Sequence, residues 1–361
     1  MPSVFVATPV DFALHGDYGA ALTAPTTPRF ERPPYSFRGR IGSAEFPAES
    51  GRYHLYVSYA CPWAHRTLIV RALKGLTEAV SVSVVDPVRD GRGWAFREGA
   101  GHGPDRVGGF ALLSEVYEAT EPGYDGHVSV PVLWDTRTRR IVSNNFPDIT
   151  VDLNAAFGAD AEGPDLYPEA LRPEIDELNA LVYRTVNNGV YKCGFAPTQE
   201  AYDEAVADLF ATLDLLEDRL AGRRYLTGDA ITEADVRLWV TLARFDAVYV
   251  GHFKANLRRI VDYPNLWGYT RDLYSVPAFG DTLDLDHIRR HYYTTHPGLN
   301  PRRIVPVGPL PDFGAPHERG GGGDAHEQRG EGTDAGEQRG GDADGHAQRG
   351  GEADEHSQSA T

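Results

Sequence analysis

The chain has 361 residues, a formal net charge of −17 at pH 7 and 41% apolar residues, among them five tryptophans. This length allows two or three domains with substantial cores, and the negative charge disfavours nucleic acid and anionic membranes as partners. Two cysteines, Cys61 and Cys193, cannot form a disulfide framework. Because the sequence has neither a secretory signal nor a run of about 20 apolar residues to span a bilayer, we expect a cytoplasmic protein.

The N-terminal region is rich in proline, glycine and aromatic side chains. This composition predicts an extended arm, residues 1–46, that lies on the domain following it; a mobile leader is the alternative. The first folded domain is expected at residues 47–160, where strand and helix patterns alternate.

A switch from strand to helix at Cys61 is the clearest local signal in the chain. Tyr53, Leu55 and Val57 alternate with period two, whereas the apolar residues after Pro62 recur at helical spacing. Proline is well tolerated at the first position of a helix, so Cys61 would face unpaired backbone N–H groups and the positive end of the helix dipole. Both favour a reactive thiolate; a buried structural cysteine is the alternative.

The motif at this cysteine is C-P-W-A, with Ala64 where a dithiol oxidoreductase has its second cysteine. A mixed disulfide on Cys61 would therefore need an external thiol for its resolution. The strand-Cys-Pro-helix order is typical of thioredoxin-like redox sites and predicts a monothiol enzyme. His65 and Arg66 would either add positive charge near the thiolate or lie on the surface. Cys193, in a helical region, is interpreted as a packing residue.

The first domain is predicted to contain further strands at residues 80–85, 128–135 and 140–143. Between the first two of these lies an insertion, residues 87–127, which carries Trp94. Loops of this length are unusual unless they are functional. Pro131 interrupts the strand that contains it, and in a thioredoxin-like fold it is the cis-proline facing the reactive cysteine.

From about residue 165 the pattern is helical. Apolar stripes of period 3.6 predict helices at residues 174–186, 199–220 and 232–245. Thr232 and Asp235 form a pair of caps at the start of the third helix. We therefore predict an all-helical domain at residues 165–295, a C-terminal extension at residues 296–316, and a low-complexity tail at residues 317–361 that is disordered because it has hardly any apolar side chains.

Five blocks of sequence, taken in order, carry a family resemblance: residues 52–66, 130–135, 187–196, 224–239 and 286–293. They resemble the glutathionyl-hydroquinone reductases, also called xi-class glutathione transferases. The resemblance implies an α/β plus all-α fold, with an N-terminal thioredoxin-like domain followed by an all-helical glutathione-transferase C-terminal domain, and a homodimer. It also implies that Cys61 attacks the sulfur of a thiol-conjugated hydroquinone, and that a second thiol molecule then clears the mixed disulfide.

The same resemblance assigns roles to other residues. Trp94 is expected to close over the thiol co-substrate, and Val130, next to Pro131, to pair with the backbone of that thiol. Tyr191 and Tyr292 are expected to hold or protonate the hydroquinone. A phenol suits this role because it can both accept a hydrogen bond and donate a proton; packing tyrosines are the alternative.

Two departures from the family pattern lie on the thiol-binding side. Asn145 and Phe146 replace a Glu and a Ser that hold the γ-glutamyl group in glutathione-using members, and His127 stands where those members tend to have Arg. Charge-assisted hydrogen bonds worth about 1.5–3 kcal/mol each are thereby lost. The co-substrate is therefore glutathione or another small thiol such as mycothiol; binding of glutathione by backbone groups at this helix start is the alternative. No metal is expected.

Two other functions are compatible with these residues. An omega-like thiol transferase, acting on protein mixed disulfides or dehydroascorbate, would use the same cysteine. A transferase fold without a reactive cysteine would be an interaction module. A conjugating transferase is disfavoured, because such enzymes activate the thiol of the co-substrate with a Tyr or Ser hydroxyl.

Overall fold

The computed structural model describes residues 5–19 and 34–319. Predictions for the remaining residues, including nearly all of the 317–361 tail, lie outside the described part of the chain. Four strands form one mixed sheet: β1 (Tyr53–Val57), β2 (Val80–Val84), β3 (Val132–Asp135) and β4 (Arg140–Ser143). Their order is β2-β1-β3-β4, with β1 parallel to β2 and antiparallel to β3, and β3 antiparallel to β4.

The described helices are α1 (Phe12–His15), α2 (Pro62–Leu73), α3 (Leu113–Thr120), α4 (Phe146–Ala155), α5 (Arg172–Val182), α6 (Gly189–Gly194), α7 (Gln199–Ala221), α8 (Glu233–Arg244), α9 (Pro264–Ser275), α10 (Pro277–Gly280) and α11 (Leu285–Thr295). A π-helical turn follows α5 at Tyr183–Asn187, and another follows α8 at Phe245–Tyr249. The helices α5 to α11 build the second half of the fold, and α2 packs against both α4 and α8. Within the described residues, no helix combines the length and apolar character needed to cross a bilayer.

Strand β1 is buried on both faces, although its period-two pattern predicted a single apolar face. All five of its residues are buried, because helices cover one face and the insertion covers the other. Polar atoms on the second face find partners there: His54 contacts the Ser81 and Ser83 hydroxyls at 2.7 and 2.9 Å, and the Tyr56 hydroxyl donates to Asp105 at 3.1 Å. A satisfied histidine is therefore part of this core.

Strand β3 is shorter than predicted, since it begins at Val132 instead of residue 128. Proline lacks the N–H that a ladder requires, so pairing starts only after Pro131. The Val130-Pro131 peptide bond is cis, as the sequence predicted. The insertion, for which only turns were expected, contains helix α3.

The predicted start of α8 is confirmed. Asp235 accepts hydrogen bonds from the Thr232 N–H at 2.8 Å and from the Thr232 hydroxyl at 3.1 Å. The same carboxylate also accepts from the Leu226 N–H and from the Tyr269 hydroxyl, both at 2.9 Å. One buried side chain thus joins α8 to the preceding loop and to α9.

The described parts of the N-terminal arm contact the first half of the fold. The Ala7 N–H donates to the carbonyl of Phe96 at 3.1 Å, and the Gly39 N–H donates to the carbonyl of Val142 at 2.8 Å. This agrees with an arm lying on the first domain. The domain limits given above stay predictions.

Candidate active site

Cys61 occupies the N-cap position of α2, with Pro62 as the first helical residue. Its side chain is half-buried, and Sγ lies 3.6 Å from the carbonyl oxygen of Val130. The structure therefore brings Cys61, Val130 and the cis-proline together at the end of β1, as predicted. The N-cap position places this sulfur at the positive end of the helix dipole, although the Cys61 side chain accepts no hydrogen bond from the N–H groups of the first turn.

Helix α8 forms hydrogen bonds with the backbone of the loop before Cys61. Buried Arg244 donates to the carbonyl oxygens of Tyr59 at 2.7 Å and Ala60 at 3.2 Å. It also donates to Nδ1 of His65 at 3.0 Å, so the proton of this imidazole is on Nε2, which lies 2.8 Å from the Thr282 hydroxyl. The second half of the fold thereby fixes the backbone that presents the reactive sulfur.

His65 and Arg66 are both buried, so the surface alternative for them is wrong. Burial and the adjacent Arg244 lower the pKa of His65 well below its usual value, and the imidazole is neutral at pH 7. Burial also lowers the pKa of Arg66, to about 9, which leaves this guanidinium charged. Arg66 lies 4.6 Å from the Trp63 ring centroid. Of the two candidates, only Arg66 adds positive charge near the helix start.

Tyr191 and Tyr292, the two residues expected to hold or protonate the hydroquinone, contact each other. Their hydroxyl oxygens are 2.5 Å apart, and the Tyr292 hydroxyl also lies 3.0 Å from that of Tyr249. Tyr292 and Tyr249 are buried, whereas Tyr191 is half-buried. Burial raises the pKa of Tyr292 well above 10, so its phenol stays protonated. The three hydroxyls form a chain whose accessible end is Tyr191.

Sequence reasoning missed Tyr249. It lies in the π-helical turn after α8, beyond the predicted end of that helix. A run of aromatic residues, with Phe245, Tyr249 and Phe253 four apart, was a signal for one shared helical face. Its meeting with Tyr292 depends on the packing of α11, which the sequence does not specify.

Trp94 is buried and holds two side chains against its ring. The His291 imidazole stacks on it with a centroid distance of 5.0 Å and an interplanar angle of 14°, and the Arg89 Cζ lies 4.2 Å from the indole centroid. Arg89 and His291 were not singled out from the sequence. Closure of Trp94 over a thiol stays a prediction.

The residues predicted to bind the thiol differ in accessibility. His127 is exposed in the loop before β3. Phe146 is buried in the core, with its ring 5.0 Å from that of Trp63. Asn145 occupies the N-cap position of α4 without a capping hydrogen bond from its side chain, and its amide donates to Asp148 at 2.6 Å. Asp148 thereby brings a negative charge to this helix start, and the Asn145 Nδ2 donor is occupied by it.

Histidines whose pKa is lowered by their surroundings in the folded chain make folding sensitive to acid. Burial lowers the pKa of His54 and of His252 to about 4, and that of His296 to about 3. Below pH 6.5 these histidines bind protons in the unfolded chain but not in the folded chain. Their contribution to stability is therefore complete above pH 6.5 and is lost between pH 6.5 and about 4. In this range each histidine lowers the free energy of unfolding by about 1.4 kcal/mol for each pH unit of acidification.

We therefore expect the free energy of unfolding, measured with urea, to fall by several kcal/mol between pH 7.5 and pH 5. A His252→Gln variant should have a slope that is shallower by about one histidine's share. Equal slopes for the two proteins would contradict a neutral, buried His252.

Comparison with known proteins places this site in a family. Residues 60–156 match the family model described as the glutathione S-transferase N-terminal domain, and residues 199–272 match that of the C-terminal domain. The chain is 50% identical over 308 residues to the glutathionyl-hydroquinone reductase YqjG of Escherichia coli, covering 82% of this chain and 94% of that protein. It belongs to the glutathionyl-hydroquinone reductase family.

The chain is also similar to other members of this reductase family. The glutathionyl-hydroquinone reductase PcpF of Sphingobium chlorophenolicum is 52% identical over 282 residues, covering 78% of this chain and 90% of that protein. The glutathione-bound structure of E. coli YqjG has a TM-score of 0.76 and 52% identity, covering 78% of this chain and 92% of that chain.

The predicted fold, a thioredoxin-like domain followed by an all-helical glutathione-transferase domain, is confirmed. In this family member, no three His, Cys, Asp or Glu side chains of the described residues converge as metal ligands.

Proposed function

We propose that this chain is a thiol-dependent reductase that removes a glutathionyl group, or another low-molecular-weight thiol, from conjugated hydroquinones through a mixed disulfide on Cys61. One observation carries the proposal: a half-buried thiol at a helix start belongs to the same fold as a chain of three tyrosine hydroxyls. The first suits attack on sulfur, and the second suits proton delivery to a phenolic ring.

The chemistry balances in three steps. A proton first adds to the ring carbon that bears sulfur while a ring hydroxyl releases its proton to solvent, which gives the keto tautomer of the conjugate. The Cys61 thiolate then attacks this sulfur, a sulfur–sulfur bond forms, and the electron pair of the breaking carbon–sulfur bond moves through the ring to the ketone oxygen. The hydroquinone leaves as a phenolate. A second thiolate attacks the mixed disulfide and releases a small-molecule disulfide and free Cys61.

Tyr191 is the hydroxyl that we assign to the substrate. It is half-buried, whereas Tyr292 and Tyr249 are buried behind it. Because burial keeps the Tyr292 phenol protonated, Tyr292 acts as a donor and cannot act as a base at neutral pH. Its hydrogen bond to Tyr191 allows the proton given to the ring to be replaced from within the chain of hydroxyls.

A Tyr191→Phe variant is expected to lose about 10²-fold in kcat for the conjugate, because general acid catalysis contributes on this scale. A Tyr249→Phe variant keeps the ring and removes the far end of the chain, so its loss should be within about tenfold. Stopped-flow measurement of hydroquinone release tests both variants. A larger loss for Tyr249→Phe than for Tyr191→Phe would contradict this order.

The proposal also concerns which small thiol serves as the co-substrate. The backbone of Val130, beside the cis-proline, is suited to pair with a peptide-like thiol. The Asn145 amide and the buried Phe146 ring supply no charge for a γ-glutamyl group. We therefore infer that a thiol without this group, such as mycothiol, is used better than glutathione.

The test is turnover of two menadiol conjugates, one carrying glutathione and one carrying mycothiol, each with its own thiol as reductant. A kcat/KM higher for the mycothiol pair is the expected result. Equal or better use of the glutathione pair would end the mycothiol assignment and leave the reductase assignment intact. Turnover of dehydroascorbate or protein mixed disulfides, with neither conjugate consumed, would replace the reductase with an omega-like thiol transferase.

Assembly and location belong to the same proposal. The family resemblance supports a homodimer, and a reducing cytoplasm would keep Cys61 as a free thiol. Native mass spectrometry tests the first statement, since a monomer at micromolar concentration would contradict it. The net charge of the chain, −17, disfavours nucleic acid as a partner. The partners that we propose are a small-molecule thiol and a hydroquinone conjugate.

A further inference from the structure

Arg89 is a buried cation without an obvious counter-charge. Its side chain is 8% exposed. Among residues 5–19 and 34–319, its Nε has no hydrogen-bond partner, and no carboxylate forms an ion pair with it. The neighbouring arginines differ, because Arg92 pairs with Asp90 at 2.7 Å and Arg97 pairs with Asp86 at 3.0 Å. Acidic groups are therefore close in sequence, but they serve other guanidinium groups.

Two aromatic rings hold the Arg89 guanidinium. Its Cζ lies 3.6 Å from the ring centroid of Tyr18, in the N-terminal arm, and 4.2 Å from that of Trp94. Rings that cover the faces of a guanidinium leave its edge, with the N–H donors, for an acceptor. The arm and the insertion thus orient a planar donor instead of neutralising it.

Arg89 also lies within electrostatic range of the reactive groups. Burial lowers its pKa, whereas negative charge on Tyr18, Cys61 or Tyr191 would raise it, so the thiol and the accessible phenol are both within electrostatic reach. Trp94 links Arg89 to His291 by stacking, and the next residue, Tyr292, bonds Tyr191. Arg89 is therefore on the tyrosine side of the site.

A buried charge without a counter-charge is costly to keep in a folded protein. Such a cost is offset when a ligand brings the opposite charge, and the hydrogen bonds formed then are stronger than neutral ones. The reaction proposed above produces negative charge on a ring oxygen as the carbon–sulfur bond breaks. A preorganised donor in a site shielded from water stabilises such a charge best.

We propose that Arg89 is a catalytic residue that binds the hydroquinone oxygen on which this negative charge develops. The inference rests on the proposed function and assigns to the hydroquinone an anchor besides the tyrosines. When the electron pair of the carbon–sulfur bond reaches the ketone oxygen, the guanidinium edge receives the resulting phenolate and donates hydrogen bonds to it. The thiol moiety, which stays on Cys61 as the mixed disulfide, keeps its own contacts at Val130.

The test compares Arg89→Gln, Arg89→Lys and Arg106→Gln. Arg106 is exposed and lies in the same insertion, so its variant loses the same charge without changing the site. Arg89→Gln should lower kcat/KM for a menadiol conjugate by about 10- to 100-fold, the scale of a lost charge-assisted hydrogen bond. Arg89→Lys should retain part of the activity, and Arg106→Gln all of it. The KM for the resolving thiol should not change in any variant.

A coloured phenol gives a readout that does not depend on turnover. 4-Nitrophenol bound to the Cys61→Ser protein should ionise at a pH lower by about one unit than in solution, and its visible spectrum reports this. Adding Arg89→Gln should abolish the shift, with circular dichroism confirming that the double variant is folded. If the wild-type enzyme consumes no conjugate but still shifts the dye, the reductase proposal fails and anion binding by Arg89 stands.

Two results would overturn the inference. In the first, Arg89→Gln leaves both conjugate turnover and the dye spectrum unchanged, which would show that Arg89 only packs between two rings. Alternatively, the variant raises the KM of the thiol and leaves the dye shift intact, in which case the anion that Arg89 binds is the carboxylate of the thiol.

Discussion

Replacing Cys61 with serine is expected to lower conjugate turnover by at least about 10³-fold, the scale seen when a nucleophile is removed. A serine hydroxyl is not ionised at neutral pH, even at a helix start, and it cannot form the mixed disulfide that the reaction requires. Mass spectrometry after exposure to a conjugate should show one bound thiol moiety on the wild-type chain and none on Cys61→Ser.

Cys193 supplies the matched control. It is 3% exposed, and burial raises the pKa of its thiol to about 12, so it carries no thiolate at neutral pH. A Cys193→Ala variant should keep its turnover and still acquire the adduct. An adduct that persists on Cys61→Ser would move the nucleophile to another residue and end the mechanism proposed above.

Replacing Asp235 with alanine is expected to lower the free energy of unfolding by about 4 kcal/mol. The carboxylate accepts from the Leu226 and Thr232 N–H groups and from the Tyr269 hydroxyl, and its side chain is fully buried. Truncation leaves these donors without acceptors in a dry interior, and each lost partner costs about 1–3 kcal/mol. Urea denaturation at pH 7.5 measures the difference.

Two further variants define this effect. Asp208→Ala makes the same chemical change on the exposed face of α7 and should alter stability by at most about 0.5 kcal/mol. Asp235→Asn keeps one acceptor oxygen and turns an N–H₂ group toward the donors, so it should lose an intermediate amount. A stability of Asp235→Ala within error of Asp208→Ala would show that the cap does not hold the second half of the fold together.

Features encoded by neighbouring residues were predictable from the sequence. The change of period at Cys61, the proline after it and the cap at Thr232 and Asp235 each lie within a few residues, and the structure has them as predicted. The roles assigned to Tyr191 and Tyr292 came from the family resemblance. Their contact across 101 positions was not predicted, since nothing local indicates it.

Properties that depend on distant packing could not be predicted. Arg89 has an ordinary sequence context, and its place between Tyr18 and Trp94 depends on how the arm docks. Phe146 was expected to replace a thiol-binding residue, but the helix α2 covers its ring. The direction of its side chain is decided by the partners available in the core.

Arg244 makes the two halves of this fold depend on each other. A residue in the all-helical half donates to the carbonyls of Tyr59 and Ala60 and to His65, so the backbone around the nucleophile is completed only when both halves are present. Exchange of the helical half with that of a transferase lacking this arginine would remove the donor to both carbonyls. We expect such a chimera to lose the fixed backbone that presents Cys61.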